Sequence, residues 1–78
     1  MTQWRHRAVY VTSGYDYQAG RNVCRAAGRE YEKLADALDA VGSDGWELVS
    51  VVLVNRETSH DFEGEMYCAF FKAPAREE

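Results

Sequence analysis

Residues 42–54 constrain the fold of this chain more than any other stretch. Two glycines, Gly42 and Gly45, enclose a Ser-Asp pair, and a run of apolar and β-branched residues begins at Trp46. Glycine often ends helices by adopting the left-handed conformation, and Asp-Gly favours tight turns. The stretch therefore predicts a helix that ends at Gly42, a reversal of the backbone, and a strand over residues 46–54.

The segment before this turn has the hydrophobic spacing of a helix. From Arg29 onward, apolar residues recur at intervals of three and four, and charged residues occupy the positions between them. This pattern is typical of an amphipathic helix that lays one face on a sheet. We expect a helix over residues 29–41, with an apolar stripe formed by Tyr31, Leu34, Leu38 and Val41.

Two other segments have the character of strands. Residues 3–12 alternate with a period of two, and residues 65–73 are apolar on both faces. Residues 15–28 show mixed polarity without a clean period, so we predict a loop there. Residues 55–64 are polar and too many for a two-residue hairpin, which leaves a mobile loop or a longer, frayed hairpin.

These elements follow the order β-α-β-β. A right-handed crossover makes the first two strands parallel, and a hairpin makes the third antiparallel to the second. A strand that is apolar on both faces belongs in the middle of a sheet. We therefore predict an α+β fold over residues 1–78: a three-stranded antiparallel sheet, order 1-3-2, one helix on one face, and a charged tail over residues 73–78.

The helix can cover only one face of this sheet. The carboxylate of Glu47 should avoid the thin core, which turns the alternate residues toward the helix: Trp46, Leu48, Ser50 and Val52. The opposite face is then predicted to be apolar and open, with an interface formed by Val9, Val11, Val49, Val51, Leu53, Tyr67 and Phe71. Monomers rarely expose so large an apolar patch, so we expect a homo-oligomer, a dimer or higher, or a protein partner docked there.

Composition excludes several classes of function. Of the 78 residues, 46% are hydrophobic and 28% charged, and no apolar run approaches the roughly 20 residues of a transmembrane helix. The net charge of −4 argues against nucleic acid as a partner. No apolar signal segment follows the first residues, and the two cysteines form no CxxC pair, so we expect reduced thiols and a cytoplasmic location.

Three segments together resemble a known family. They are Trp4-Arg5-His6-Arg7-Ala8-Val9, the Gly-Ser-Asp-Gly-Trp-Glu-Leu-Val-Ser-Val run that begins at Gly42, and the closing Phe70-Phe71-Lys72-Ala73-Pro74. The chain is similar over most of its length to the small bacterial domain-of-unknown-function family 4177, and Gly-Trp-Glu-Leu-Val is the most specific part. The resemblance implies a βαββ fold and a bacterial or phage source, and it implies no activity.

Other residues suggest chemistry that the sequence leaves open. Arginines beside tyrosines could bind a small molecule or nucleotide in a pocket at a subunit boundary, and the candidates are Arg5, Arg7, Tyr15, Tyr17, Arg21 and Arg25. Cys24 near two of these arginines could be a thiol of lowered pKa. His6, His60, Cys24 and Cys68 match no zinc spacing. We therefore predict no metal, no cofactor and no catalytic residue, and a noncatalytic interaction module as the function.

Overall fold

The computed structural model describes residues 3–75, which form five strands and one helix. Their bounds are β1 (Trp4–Asp16), β2 (Arg21–Ala26), β3 (Arg29–Tyr31), α1 (Leu34–Gly42), β4 (Glu47–Thr58) and β5 (Phe62–Pro74). All strands join one sheet in the order β3-β2-β1-β5-β4, and every neighbouring pair is antiparallel. The predicted α+β fold with a three-stranded sheet is therefore wrong, because the protein is mostly β.

Most of the difference between the predicted and the observed fold arises in residues 15–28, which were predicted to form a loop. β1 continues to Asp16, and a four-residue turn leads into β2. The Asp16 carboxylate accepts hydrogen bonds from the backbone N–H groups of Gln18 and Ala19, at 2.9 and 3.1 Å. Gly20 closes the turn at a φ of 70°. An aspartate that caps its own turn, followed by a left-handed glycine, makes this a hairpin.

A second hairpin replaces the first part of the predicted helix. Ala27 and Gly28 join β2 to β3 with φ values of 51° and 76°, as a two-residue type I′ turn requires. Arg29 therefore lies in a strand, and the helix begins only at Leu34. Tyr31 fits the helical spacing but contacts the core from β3.

Of the two glycines predicted to form the turn between α1 and β4, only Gly45 adopts the left-handed conformation. Gly42 is the last helical residue, and Gly45 has the left-handed φ, at 84°. The N–H of Trp46 donates to the carbonyl of Gly42 at 3.2 Å, which closes the reversal just before β4.

Residues 55–64 form part of a long hairpin of β4 and β5, so of the two predicted alternatives the structure has the longer hairpin and not the loop. β4 extends to Thr58 and β5 begins at Phe62, and the N–H of Ser59 donates to the carbonyl of Phe62 at 2.8 Å. β5 lies between β1 and β4. Of the predicted tail, Ala73 and Pro74 belong to β5, and residues 76–78 lie outside the described part of the chain.

The core lies on one face of one end of the sheet. α1 packs against β2, β3 and the start of β4, and its buried residues Ala37 and Val41 contact Val11, Cys24 and Phe71. Nine helical residues span about 13 Å, whereas the thirteen residues of β1 span about 44 Å. The helix therefore covers only part of that face, in a molecule that measures 50 × 20 × 16 Å.

β1 and β5 approach unusually closely at a pair of glycines. Gly14 lies opposite Gly64, and a Cβ atom added to Gly14 would lie 2.4 Å from the Cα of Gly64. Only residues without a side chain fit this contact.

Within residues 3–75, no helix is long and apolar enough to cross a membrane.

Candidate functional site

The candidate site is the outer side of β4, and it follows from the position of this strand in the sheet. β4 and β3 are the two ends of the strand order. β3 is three residues long and carries Arg29 and Glu30, whereas β4 is twelve residues long. An edge strand presents a row of backbone N–H and C=O groups to whatever lies beside it. β4 therefore presents the longer of the two free edges.

The side chains of this edge are apolar and exposed. Six of them are between 36% and 57% accessible to solvent: Leu48, Val49, Val51, Val52, Leu53 and Val54. No charged residue lies between Glu47 and Arg56. Soluble proteins usually protect such an edge with charged side chains, proline or β-bulges, and between Glu47 and Arg56 the strand has only two irregularities of the last kind. We call these six residues the β4 edge.

Two irregularities divide β4 and determine which face each residue occupies. The pairing with β5 skips Val49 and again Val54. Each skip adds one residue without advancing the strand, so strict alternation fails. Between them, Val51 lies opposite Ala69 and Val52 opposite Cys68. Ala69 belongs to the core beneath the helix, so Val51 is on the helix face and Val52 on the opposite face.

The predicted facing of β4 is therefore half right. Trp46 packs against the core, and Leu48 lies opposite the core residue Phe71. Ser50 and Val52, predicted to face the helix, lie on the open face because the irregularity at Val49 reverses the alternation. Sequence alternation alone gives no sign of this extra residue. The apolar run 48–54, which does not alternate, was the signal that both faces of β4 are exposed.

The predicted interface residues occupy a different environment from the one expected. Val11 and Phe71 are 0% and 1% exposed beneath the helix, so their predicted place on an open face is wrong. Val9 is partly buried against the same core, and Tyr67 lies opposite Val11 on this face. Val49, Val51 and Leu53 are exposed in the β4 edge, but Val51 and Leu53 lie on the helix face and not on the predicted open face. Sequence analysis missed Leu48, Val52 and Val54 as part of this surface.

The predicted ligand-binding residues do not converge on one site. Tyr15 and Tyr17 stack edge to face at 5.1 Å, and the Tyr17 hydroxyl donates to Glu63 at 2.9 Å. This hydrogen bond and the charge of Glu63 raise the pKa of Tyr17. Arg21 pairs with Glu30, and Arg25 pairs with Asp16 at 2.8 Å. The charges of these arginines are thus matched by carboxylates within the chain.

Arg5 and Arg7 lie at the other end of β1. Their guanidinium carbons are 5.1 and 5.4 Å from the centre of the Trp46 ring, within the range of cation–π contacts. Eight residues of strand separate Arg7 from Tyr15, which is about 27 Å. The six predicted residues therefore form two separate groups.

A cleft beside Arg7 has mixed charge. Its volume is about 440 Å³, and its lining includes Arg7, Arg29, Tyr31 and Asp44 together with the last turn of α1. The carboxylate of Asp44 and the carbonyl end of the helix offset the two guanidiniums, because a helix is negative at its C-terminus. The positive charge that could attract an anionic ligand to this cleft is therefore reduced.

Cys24 is a buried residue and not an activated thiol. Its side chain lies in β2 within the core, at 1% exposure. Burial raises the pKa of the Cys24 thiol, while a hydrogen bond with Ser13 partly opposes this rise. The suggested lowered pKa is therefore wrong. Across residues 3–75, no group of three or more His, Cys, Asp or Glu side chains could hold a metal ion.

Comparisons with protein-family models, curated proteins and solved structures found no match to this chain. The resemblance to domain-of-unknown-function family 4177 therefore stays a prediction.

Proposed function

We propose that this protein is a noncatalytic interaction module that self-associates through the β4 edge. One observation carries the proposal: the longer free edge of the sheet contains a run, residues 48–55, that has six exposed apolar side chains and no charge. A second strand placed beside β4 would pair its outer backbone groups and cover these side chains together. Residues 48–54 are all apolar apart from Ser50. This composition supports side-chain packing rather than catalysis of group transfer.

The size of the edge sets the expected affinity. Half-exposed valine and leucine side chains contribute on the order of 70 Å² each, so a symmetric contact buries at most about 1,000 Å² with its backbone. This area is near the lower limit for specific interfaces. We therefore expect a dimer that forms at micromolar concentrations and dissociates on dilution.

Binding of a small molecule or nucleotide stays an untested alternative. Its candidate arginines lie in two groups, and those near Tyr15 and Tyr17 are paired with Asp16 and Glu30.

The proposed location is the cytoplasm. Two free and buried cysteines support it, because secreted domains of this size usually depend on disulfides.

Sedimentation equilibrium between 1 and about 100 μM tests the proposal. We expect a mass of twice 8.9 kDa at the upper concentrations. Val51→Lys should keep the chain monomeric, because it places a charge in the middle of the edge. Tyr10→Lys is the matched control: Tyr10 is 64% exposed on β1, which has a strand on both sides.

The circular dichroism spectrum should be the same for both variants, since each changes an exposed side chain. A wild-type mass of 8.9 kDa at every concentration would contradict the proposal. A Val51→Lys protein that still forms the dimer would also contradict it.

A further inference from the structure

Symmetry limits how two copies of β4 can pair. In an antiparallel pair related by a two-fold axis perpendicular to the sheet, each side chain stays on its own face. One residue must then lie opposite itself on the axis, and this residue defines the register. The regular segment between the irregularities at Val49 and Val54 offers four candidates, Ser50, Val51, Val52 and Leu53.

Charge separates these four registers. With Val52 on the axis, Glu47 lies opposite Glu57 of the second copy, and like charges directly opposite destabilise a strand pair. With Ser50 on the axis, Glu47 lies opposite Val52. With Leu53 on the axis, Arg56 lies opposite Val51. Each of the last two places a charge against an apolar side chain that the contact would bury.

The register with Val51 on the axis avoids all three conflicts. Because each irregularity adds one residue to the count, Leu48 then lies opposite Leu53 and Glu47 opposite Asn55. Arg56 lies opposite Trp46, a ring on which a guanidinium can stack, although Arg5 and Arg7 of the second copy already lie near that ring and carry the same charge. Apolar residues meet apolar residues, apart from Ser50 opposite Val52.

We infer that the partner of the β4 edge is a second copy of this chain, paired antiparallel with Val51 on the two-fold axis. This inference rests on the proposed function and specifies its geometry. The two five-stranded sheets join into one continuous sheet of ten strands. The contact is between edges, so the open face that carries Tyr10 and Phe70 stays accessible in the dimer.

Disulfide trapping tests the register, since Val51→Cys should cross-link to itself under mild oxidation. Opposite Cα atoms in an antiparallel pair are about 4.5–5.5 Å apart, which a disulfide can span. Ser50→Cys is the matched control, because two such residues would be about 8 Å apart, beyond that span. An equimolar mixture of Leu48→Cys and Leu53→Cys proteins should cross-link, whereas either alone should not.

The native cysteines should not interfere, because Cys24 and Cys68 are buried. We expect at least tenfold faster cross-linking for Val51→Cys than for Ser50→Cys. A dimeric mass with equal or faster cross-linking of Ser50→Cys would overturn this register and leave the proposed function standing. A dimer that Tyr10→Lys dissociates would overturn edge pairing in favour of face-to-face packing. A monomeric wild-type protein would overturn both proposals.

Discussion

Replacing Gly14 with alanine should destabilise this protein severely, although the same change is mild in most strands. The new Cβ atom would lie 2.4 Å from the Cα of Gly64 and equally close to the carbonyl oxygen of Glu63. Carbon atoms in contact prefer about 3.5–4.0 Å, so β1 and β5 must separate by about 1 Å at this point. The obstacle is backbone on both sides, so no side chain can rotate away.

The magnitude follows from this displacement. Overpacking costs about 1–3 kcal/mol, and weakening two adjacent hydrogen bonds between the strands adds about 0.5–1.5 kcal/mol each. Alanine recovers about 0.5–1 kcal/mol relative to glycine because it has less backbone entropy to lose. The net loss is about 3 kcal/mol, out of the roughly 4–12 kcal/mol expected for a domain of 78 residues.

Urea unfolding followed by the fluorescence of Trp4 and Trp46 measures this loss. With a slope near 1 kcal/mol/M, the midpoint should fall by about 3 M. Wild type and variants must be compared at one protein concentration, because the proposed dimerisation would make apparent stability concentration-dependent. A Gly14→Ala midpoint equal to or above that of the wild type would refute the reasoning.

Gly42→Ala is the matched control. Its new Cβ atom would lie 3.7 Å from Cε2 of Phe71, an ordinary contact, and Gly42 is helical. Alanine is the better helix former, so the midpoint should stay unchanged or rise. A large loss in this variant would show that the chemical change itself, and not the close approach of Gly14 and Gly64, causes the effect.

Two further predictions concern buried and ionised groups. Cys24 and Cys68 should resist alkylation at pH 8 and react readily in urea, because both are buried and burial raises the pKa of Cys24; rapid native labelling of Cys24, followed by mass spectrometry, would contradict this. Hydrogen bonds, of which the one from the Ala19 N–H has the largest effect, lower the pKa of Asp16 below its usual 3.8. The contribution of the Asp16 carboxylate to stability is therefore present above pH 3.8 and is lost as the pH falls through the lowered pKa. Asp16→Asn should therefore be less stable at neutral pH and lose less stability on acidification, as urea midpoints at pH 7 and pH 3 would measure.

The sequence predicted the segments whose pattern is long and regular. The strands around Val9 and Phe70, the helix around Leu38 and the central position of the last strand all follow from hydrophobic periodicity. The strands within residues 15–28 were not predicted because each of them is short. The turns depend on Asp16 with Gly20, a signal that the sequence does contain, and on Ala27, whose left-handed conformation is rare for alanine.

The candidate site was predictable only in part. The apolar run of β4 indicated an unprotected surface, and Val51 and Leu53 are indeed exposed. The faces were misassigned because the irregularities at Val49 and Val54 depend on pairing with β5, which no local pattern encodes. Val11 and Phe71 were expected on the open face because alternation along a strand groups residues by face but does not indicate which face a helix covers.

The unequal edges of the sheet have a consequence for how far assembly can proceed. β3 has three residues, two of which are charged, and the carboxylate of Glu30 forms salt bridges with Arg21 and Arg25. Such an edge is a poor template for an incoming strand. If β4 pairs with a second copy as proposed, each chain has only one edge suited to pairing, and the dimer uses both of them. A sheet with two edges like β4 could grow into a fibre, whereas the proposed assembly would stop at two copies.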